Sequence, residues 1–344
     1  MQLLQFDSRE KWLEARSNYI TASDIGVVLG VNKYKSPAIL AKEKRDKVSM
    51  TKQTTAMKFG NVMERTILRC FELETGLAVN AFDNNLCVND KYPRLAASLD
   101  GLVEVETGER IVVDAKMSSG GAAWQWGKQS DIDGVPPTYY VQMQHQMLVA
   151  EADFAYLAVM LKPEEVTDTD LALMEELTAK TTTDSVIKVL YSSGYKFFMY
   201  RVRKDETIQK SIVIAADNFW SNYIDGDKEP EIDRVEDIKQ LGIVPVSGEV
   251  EVDDELYRRL AEFSAINKQK NEIEKVVKEA GDKLKVELMK YSGGTYNGKQ
   301  VFSYKASEGG VKFDEEAFKK EHPDIWSQYQ KNTLPTRRFT VNIK

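Results

Sequence analysis

The spacing of apolar residues changes from helical to alternating near residue 77. Before that point, residues 54–76 give the clearest helix, with Met63, Ile67 and Phe71 on one side and Gly76 at its end. The same spacing predicts three shorter helices, at 8–17, 20–30 and 36–47. The chain therefore opens with a helical segment.

Short alternating or β-branched runs follow and predict strands. Four come in succession, at 77–82, 84–90, 95–106 and 110–117. The sequence TGER, at 107–110, predicts a hairpin turn between the last two of them. Helical spacing returns at 136–152 and again at 207–226, with two further strands between them at 154–162 and 195–204. This order of strands and helices predicts the α/β class.

The last quarter of the chain has a different character. Residues 253–291 form a long helical stripe, which Asn267 and Lys270 interrupt, so that a helical hairpin and a coiled coil are both open. Strands are predicted at 298–310 and 337–344, around a polar helical stretch at 313–331. We therefore expect two domains, 1–250 and 251–344, the second a long helix with a small α+β module.

Composition and charge exclude some classes of protein but not a DNA partner. The net charge of −7 comes from residues 131–250, with 11 basic and 22 acidic residues, whereas both flanking segments are slightly basic. Two cysteines, Cys70 and Cys87, are too few for a disulfide framework, a structural zinc site or an iron–sulfur cluster. Without a signal peptide or a long apolar run, we expect a cytoplasmic protein with no membrane segment.

Candidate chemistry lies at the end of the strand 110–117, where Asp114 and Lys116 follow an apolar run. Side chains two apart on a strand share a face, and Asp100 can join them from a neighbouring strand. Clustered carboxylates suit Mg²⁺ or Mn²⁺, and a lysine beside the ion can hold a water or stabilise pentavalent phosphorus. That chemistry is phosphodiester hydrolysis, although Asp-x-Lys also arises by chance and SLDG can be a simple turn.

Five motifs extend this site along the chain from Arg16 to about Met147. They are R-x3-ITASD (Arg16, Ile20, Thr21, Ala22, Ser23, Asp24), FG-x3-E (Phe59, Gly60, Glu64), SLDG (Ser98, Asp100, Gly101), DAK (Asp114, Lys116) and YVQMQHQM (Tyr140, Gln142, Gln144, His145). In this order they resemble the YqaJ-type viral recombinase family, the lambda exonuclease-like phage nucleases of the PD-(D/E)XK superfamily. The resemblance implies a restriction-endonuclease-like mixed β-sheet core flanked by helices, with residues 1–250 as the nuclease domain.

The resemblance also implies a role for each matching residue. Asp100, Asp114 and the Ala115 carbonyl would bind Mg²⁺, with Mn²⁺ able to substitute. Lys116 would be the catalytic lysine, Glu64 would hold a water of the ion or a second metal, and Gln142 would orient the nucleophile or Lys116. Phosphate of DNA would be bound by three further residues, Arg16, Ser23 and Ser98.

Of four more residues near the motifs, three have both a functional and a packing interpretation. His145 could contact DNA or the metal shell, but a histidine on an apolar helix is usually structural. Trp124 and Trp126 could stack on bases at a strand end or pack within the protein. Gln144 would, with Tyr140, support the helix that carries Gln142.

The sequence departs from the family pattern in three places. Asp114 replaces the usual glutamate, and SLD replaces SPD. The lambda-type arginine that follows the catalytic lysine is missing, since no basic residue comes after Lys116 until Lys128. Dependence on a 5′-phosphate is therefore in doubt.

The resemblance implies a 5′→3′ exonuclease on double-stranded DNA that makes 3′ overhangs for a single-strand annealing recombinase. It would be a homo-oligomer encoded by a phage or prophage. Two alternatives stay open. One is an endonuclease or nickase on the same fold, favoured by the missing arginine and the added C-terminal module. The other is a non-catalytic DNA-binding assembly protein.

Overall fold

A computed structural model describes residues 1–121, 126, 134–243, 249–306, 309–330, 339–341 and 343 of the chain. Two compact units divide it, Met1–Pro245 and Val246–Lys344. Strands are β1 Gln2–Gln5, β2 Ile20–Thr21, β3 Asn80–Ala81, β4 Asn85–Val88, β5 Leu95–Ala97, β6 Gly101–Glu104, β7 Arg110–Ser119, β8 Phe154–Lys162, β9 Lys196–Arg203, β10 Gly293–Tyr296 and β11 Lys299–Ser303. Helices are α1 Arg9–Ser17, α2 Ile25–Val28, α3 Pro37–Asp46, α4 Thr55–Thr75, α5 Pro137–Ala150, α6 Asp168–Lys180, α7 Thr183–Ser192, α8 Glu206–Tyr223, α9 Val235–Gln240, α10 Asp254–Leu288, α11 Glu315–Glu321 and α12 Pro323–Gln328.

A five-stranded mixed sheet in the order β3-β6-β7-β8-β9 is the centre of the first unit. β7 and β8 are parallel, from Ile111 opposite Phe154 to Ser119 opposite Lys162, and the other pairs are antiparallel. A parallel pair needs a crossover connection, and α5 lies in the one between β7 and β8. A smaller sheet has the order β1-β4-β5-β2.

Alternation along β7 divides the apolar core into two layers. Ile111 and Val113 pack against α4, α6 and α7, whereas Val112 packs on the opposite face with residues of α5 and α8. Phe59 and Phe71 of α4 are fully buried in the first layer, and each such burial stabilises the fold by roughly 2–3 kcal/mol. The predicted α/β class, a mixed sheet flanked by helices, is confirmed.

Helix ends follow the local sequence. Thr54 caps α4 by accepting a hydrogen bond from the Met57 amide, and Gly76 ends the helix with a φ of 72°. Ser36 caps α3 in the same way. Helices α6 and α7 were not predicted from the sequence. The capping box between Thr167 and Asp170 marks the start of α6.

The predicted strand 95–106 is two strands that belong to different sheets. β5 lies in the four-stranded sheet and β6 in the five-stranded sheet. Residues 98–100 connect them, so Ser98 and Asp100 lie where the chain passes from one sheet to the other. The segment 20–30 also begins with a strand, β2, before the short helix α2.

The second unit consists of the long helix α10, the hairpin β10-β11 and the helices α11 and α12. α10 is continuous over 35 residues, so this segment is not a helical hairpin. The predicted strand 337–344 lies partly outside the described residues, and residues 339–341 are not in a strand. No helix in the described part of the chain combines the length and apolar character needed to cross a bilayer.

Close packing at Gly101, the first residue of β6, generates a stability prediction. A Cβ there would overlap Val79 Cγ1 and lie 3.3 Å from Leu68 Cδ2. Gly101→Ala should therefore lower the free energy of unfolding by roughly 1–3 kcal/mol in urea titrations. Gly60→Ala is the control, since its Cβ would meet nothing closer than Met117 Cβ at 3.9 Å. Equal stability of Gly101→Ala and the parent would contradict this packing.

Candidate active site

Asp114 lies in the middle of the central strand β7 and is 1% exposed. Its Oδ1 accepts hydrogen bonds from Gln142 Nε2 at 2.9 Å and from Gln146 Nε2 at 2.8 Å. Its Oδ2 lies 2.5 Å from Lys116 Nζ, an ion pair without the angles of a hydrogen bond. The carboxylate is thus held from α5 on one side and from its own strand on the other.

Asp100 lies between β5 and β6, next to the same point of β7. Its Oδ2 accepts a hydrogen bond of 2.8 Å from the amide of Ala115, the residue after Asp114. Burial and the negative charge of Asp114 raise the pKa of Asp100 well above its ordinary value. The two carboxyl groups therefore share one desolvated region.

Glu64 joins this region from α4. Burial raises the pKa of Glu64 to about 7, against the opposing effect of Lys116 and with a further rise from Asp114. Burial works against the charge of Lys116, but Asp114 and Asp100 outweigh it and hold the pKa of the lysine above its ordinary value. Three acidic groups and one ammonium thus interact electrostatically, with more negative than positive groups.

This donor set fits a hard divalent cation in its chemistry, because carboxylate oxygens are the ligands such ions prefer. Its arrangement, however, has the Lys116 ammonium against Asp114 Oδ2. Within the described residues, no group of three or more His, Cys, Asp and Glu side chains stands ready to hold a metal ion. A metal at Asp114 would require the ammonium of Lys116 to move.

Arg16, Ser23 and Ser98, the predicted phosphate ligands, form a second cluster. Arg16 Nη1 donates to Ser98 Oγ at 3.2 Å, and Nη2 donates to Ser23 Oγ at 3.1 Å. The guanidinium lies over the Trp12 ring, 4.5 Å from its centroid. Burial lowers the pKa of Arg16, although Asp24 and Asp100 oppose that effect. The fork of Arg16 is therefore fixed by three neighbours at the end of α1.

A buried ion pair holds the loop that carries Ser23. Lys44 Nζ lies 2.7 Å from Asp24 Oδ2, which also accepts a hydrogen bond of 2.6 Å from Thr21 Oγ1. Lys44 Nζ donates to the carbonyl of Arg16 at 3.2 Å as well. Burial would raise the pKa of Asp24, but Lys44, Lys35 and Arg16 together outweigh that effect and lower it, so this carboxylate stays ionised. The lysine therefore ties α3 to both the loop and the end of α1.

Gln144 and His145 make their contacts inside the protein. Both are fully buried. Gln144 Nε2 donates to the carbonyl of Arg203 and its Oε1 accepts from the Asp205 amide, so it connects α5 to the chain between β9 and α8. His145 Nε2 lies 3.0 Å from the carbonyl of Ala96, and burial lowers the pKa of His145 to about 4, so the ring is neutral.

Trp126 packs inside the protein beside the site. Its ring stacks on Tyr139 with centroids 5.5 Å apart and on Tyr200 with centroids 5.6 Å apart. Tyr139 in turn faces Lys116, whose Nζ lies 5.5 Å from the ring centroid. The packing interpretation of Trp126 therefore matches its contacts, and Trp124 lies outside the described residues.

Gln146 is a site residue that the sequence interpretation missed. Besides Asp114, its amide contacts the carbonyl of Ser98 at 3.4 Å. Gln142 and Gln146 are four residues apart, one helical turn, and so point to the same side of α5. That spacing in YVQMQHQM was the available signal.

Comparison with known proteins finds related sequences. Residues 11–153 match the family model of the YqaJ-like viral recombinase domain. The chain is also 23% identical over 354 residues to the uncharacterized protein YqaJ of Bacillus subtilis strain 168, covering 97% of this chain and 94% of that protein.

Solved structures that are similar to part of this chain include two exonucleases. LHK-Exo, an alkaline exonuclease from Laribacter hongkongensis, has a TM-score of 0.43 and 20% identity, covering 62% of this chain and 92% of its own. A phage-related exonuclease from Haemophilus somnus 129PT has a TM-score of 0.42 and 16% identity, covering 60% and 95%. Both TM-scores are below 0.5, so the fold assignment depends on the sheet described above.

The raised pKa of Glu64 generates a prediction for stability against pH. The folded protein keeps a proton on Glu64 that the unfolded chain releases near its ordinary pKa of 4.5. In EDTA, the free energy of unfolding should therefore fall as pH rises from about 4.5 through about 7. Glu64→Gln should remove up to about 3 kcal/mol of that fall.

Urea titrations across this pH range measure the effect. Glu74→Gln, an exposed position on the same helix α4, is the control and should keep the slope of the parent. A Glu64→Gln protein with the slope of the parent would show that this carboxyl is not the buried acid described here.

Proposed function

We propose that the protein is a metal-dependent deoxyribonuclease, because residues 11–153 match the YqaJ-like viral recombinase domain, the family that the five motifs resemble. It would hydrolyse phosphodiester bonds of DNA. The observation that carries the proposal is the meeting of Asp100, Asp114 and Lys116 at one point of β7, with Glu64 in the same electrostatic environment.

Asp100, Asp114 and the carbonyl of Ala115 would hold Mg²⁺, with Mn²⁺ able to substitute, and Glu64 would complete the site. When bound, the ion would neutralise charge on the phosphate and polarise its oxygens. The hydrogen bonds of Gln142 and Gln146 to Asp114 Oδ1 keep that carboxylate in one orientation, and Oδ2 remains for the ion once Lys116 moves.

Lys116 would be the catalytic group that changes partner. Without metal its ammonium neutralises Asp114, at 2.5 Å from Oδ2. Once a cation takes over that role, Lys116 Nζ would donate a hydrogen bond to the attacking water or to a non-bridging oxygen of the phosphate. The raised pKa keeps the ammonium charged, so it would stabilise negative charge as it develops on phosphorus.

Arg16, Ser23 and Ser98 would bind a phosphate of the DNA strand beside this point. Two guanidinium nitrogens and two hydroxyls already converge there at 3.1–3.2 Å. Arg binds phosphate through paired donors, and an anion would compensate the cost of burying this guanidinium. Ser98 is two residues from Asp100, which would keep the phosphate pocket close to the carboxylates.

We further propose the mode of action that the family resemblance implies. The protein would degrade double-stranded DNA as a 5′→3′ exonuclease and leave 3′ overhangs for a single-strand annealing recombinase, in the cytoplasm of a host cell. It would act as a homo-oligomer. The alternative is an endonuclease or nickase on the same fold. The missing arginine after Lys116 supports this alternative.

Cleavage of end-labelled linear duplex and of supercoiled circles, each with Mg²⁺ or with EDTA, tests the activity. We expect Mg²⁺-dependent loss of the linear duplex from its 5′ ends and intact circles. Lys116→Ala should lower the rate by about 100-fold or more. Lys188→Ala, at an exposed position of α7, should retain the rate of the parent.

Each other outcome has a clear meaning. Nicked or linearised circles would favour the endonuclease, and digestion from 3′ ends would contradict the proposed polarity. If Lys116→Ala cleaves as fast as the parent, the active-site assignment fails. If the protein binds DNA but does not cleave it under any of these conditions, the remaining hypothesis is a non-catalytic DNA-binding assembly protein.

Arg16→Lys tests the phosphate pocket. A lysine keeps the charge but loses the two-donor fork. We therefore expect kcat/KM for duplex DNA to fall about tenfold, mainly through a higher KM. Gel-based rates over a range of duplex concentrations measure it. Arg201→Lys, an exposed arginine on β9, is the control. A KM unchanged by Arg16→Lys would remove Arg16 from the DNA site.

A further inference from the structure

α10 presents an uncovered apolar face along its whole length. The helix runs continuously over 35 residues, none of which is buried, and none of the other described helices and strands of the second unit packs along it. Large apolar residues on it are exposed by 39–69%: Leu256, Tyr257, Phe263, Ile266, Ile273, Val276, Val277, Leu284 and Val286. Phe339 contacts Phe263 with ring centroids 5.5 Å apart, yet Phe263 remains 47% exposed.

One seam of α10 follows alternating steps of four and three residues, the spacing of a coiled coil. Its ten positions are Leu256, Leu260, Phe263, Asn267, Lys270, Glu274, Val277, Gly281, Leu284 and Leu288. The two ends are apolar and the centre is polar. In the single chain, Lys270 Nζ lies 3.5 Å from Glu274 Oε1, so the two charges at the centre pair with each other.

The charges at the centre of the seam distinguish between parallel and antiparallel pairing of two copies of this helix. Parallel copies in register would bring Lys270 against Lys270 and Glu274 against Glu274, which is repulsive. Antiparallel copies related by a two-fold axis near residue 272 bring Lys270 of each copy against Glu274 of the other. The interruption of the stripe then becomes two matched ion pairs.

The same antiparallel register matches the sizes of the remaining seam residues. Leu256 meets Leu288 of the second copy, and Leu260 meets Leu284. Phe263, the largest seam residue, meets Gly281, the smallest. Asn267 meets Val277 as the one unmatched layer of this register.

Gly281 supports this register independently. Glycine inside a helix is destabilising relative to alanine. A Cβ at Gly281 would meet nothing within 4 Å, so no packing inside the chain requires glycine there. In the antiparallel register, Gly281 leaves space for the Phe263 ring of the second copy, which explains why glycine stands at this position.

Residues beside the seam agree as well. Arg259 of each copy would lie opposite Glu287 of the other, an attractive pair. Ile273 would meet Ile273 across the two-fold axis, and Asn271 would meet Asn271, whose amide can donate and accept. No layer of the antiparallel register sets like charges against each other.

We propose that α10 pairs with α10 of a second copy of this chain as an antiparallel two-stranded coiled coil. A strip of ~50 Å by ~10 Å on each helix covers roughly 1,000 Å² in total, which reaches the area of a specific interface. The pairing goes beyond the proposed nuclease activity and does not depend on it.

Charge exchange in the full-length protein tests the pairing by sedimentation equilibrium. Lys270→Glu sets like charges in both central layers and should weaken the association of copies by roughly tenfold or more. Lys270→Glu combined with Glu274→Lys restores opposite charges and should restore association. Lys268→Glu, one position off the seam and exposed, should associate like the parent.

Cysteine cross-linking tests the direction. Leu256→Cys combined with Leu288→Cys should form disulfide-linked copies on mild oxidation, and neither single variant should. The native Cys70 and Cys87 are buried and do not interfere. Circular dichroism of each variant checks that helix content is retained.

Several results would overturn the proposal. A single Leu256→Cys variant that links to itself would indicate parallel helices. A protein that is monomeric at all concentrations, or whose association Lys270→Glu leaves unchanged, would show that α10 is not the interface. Loss of association in Lys270→Glu that the combined variant fails to restore would have the same meaning, provided that helix content is unchanged.

Discussion

The need to compensate one buried carboxylate organises the first unit. Asp114 is almost inaccessible in the central strand, where an unpaired charge would be far more costly than in water. Two glutamine amides and one lysine ammonium satisfy it, and they come from α5 and from β7 itself. Because β7 and β8 are parallel, their connection has to cross the sheet, and that crossover brings α5 over this face.

Sequence reasoning found the strand that carries Asp114 and the helix that follows it, because alternation and motif order are local signals. It placed Asp114 at the end of that strand, whereas β7 continues to Ser119. It did not separate the strand 95–106 into two sheets, since periodicity does not say which neighbour a strand pairs with. Periodicity also did not show what Gln144 and His145 contact, because their partners, the carbonyls of Arg203 and Ala96, are far away in sequence.

In the second unit, the sequence predicted the main element well, but the described residues of that unit form no buried core. Its apolar stripe was visible in the sequence and α10 was predicted nearly to its ends, yet none of the described residues of this unit is buried. In the first unit, charged residues inside apolar surroundings have partners from the same chain, as with Lys44 and Asp24. α10 has apolar residues on its surface and paired charges at its centre, and the described residues of the second unit do not bury the stripe.

The pairing of β7 with β8 also constrains how this chain can change over evolutionary time. Nine consecutive residues of β7 are in register with β8. Asp114 and Lys116 share a face because they are two residues apart, and the register directs that face toward α5. Inserting or deleting a single residue within the strand would turn the carboxylate and the ammonium toward α4 and bring apolar side chains toward α5. Length variation among descendants should therefore collect in the turn at 105–109 and be absent from β7.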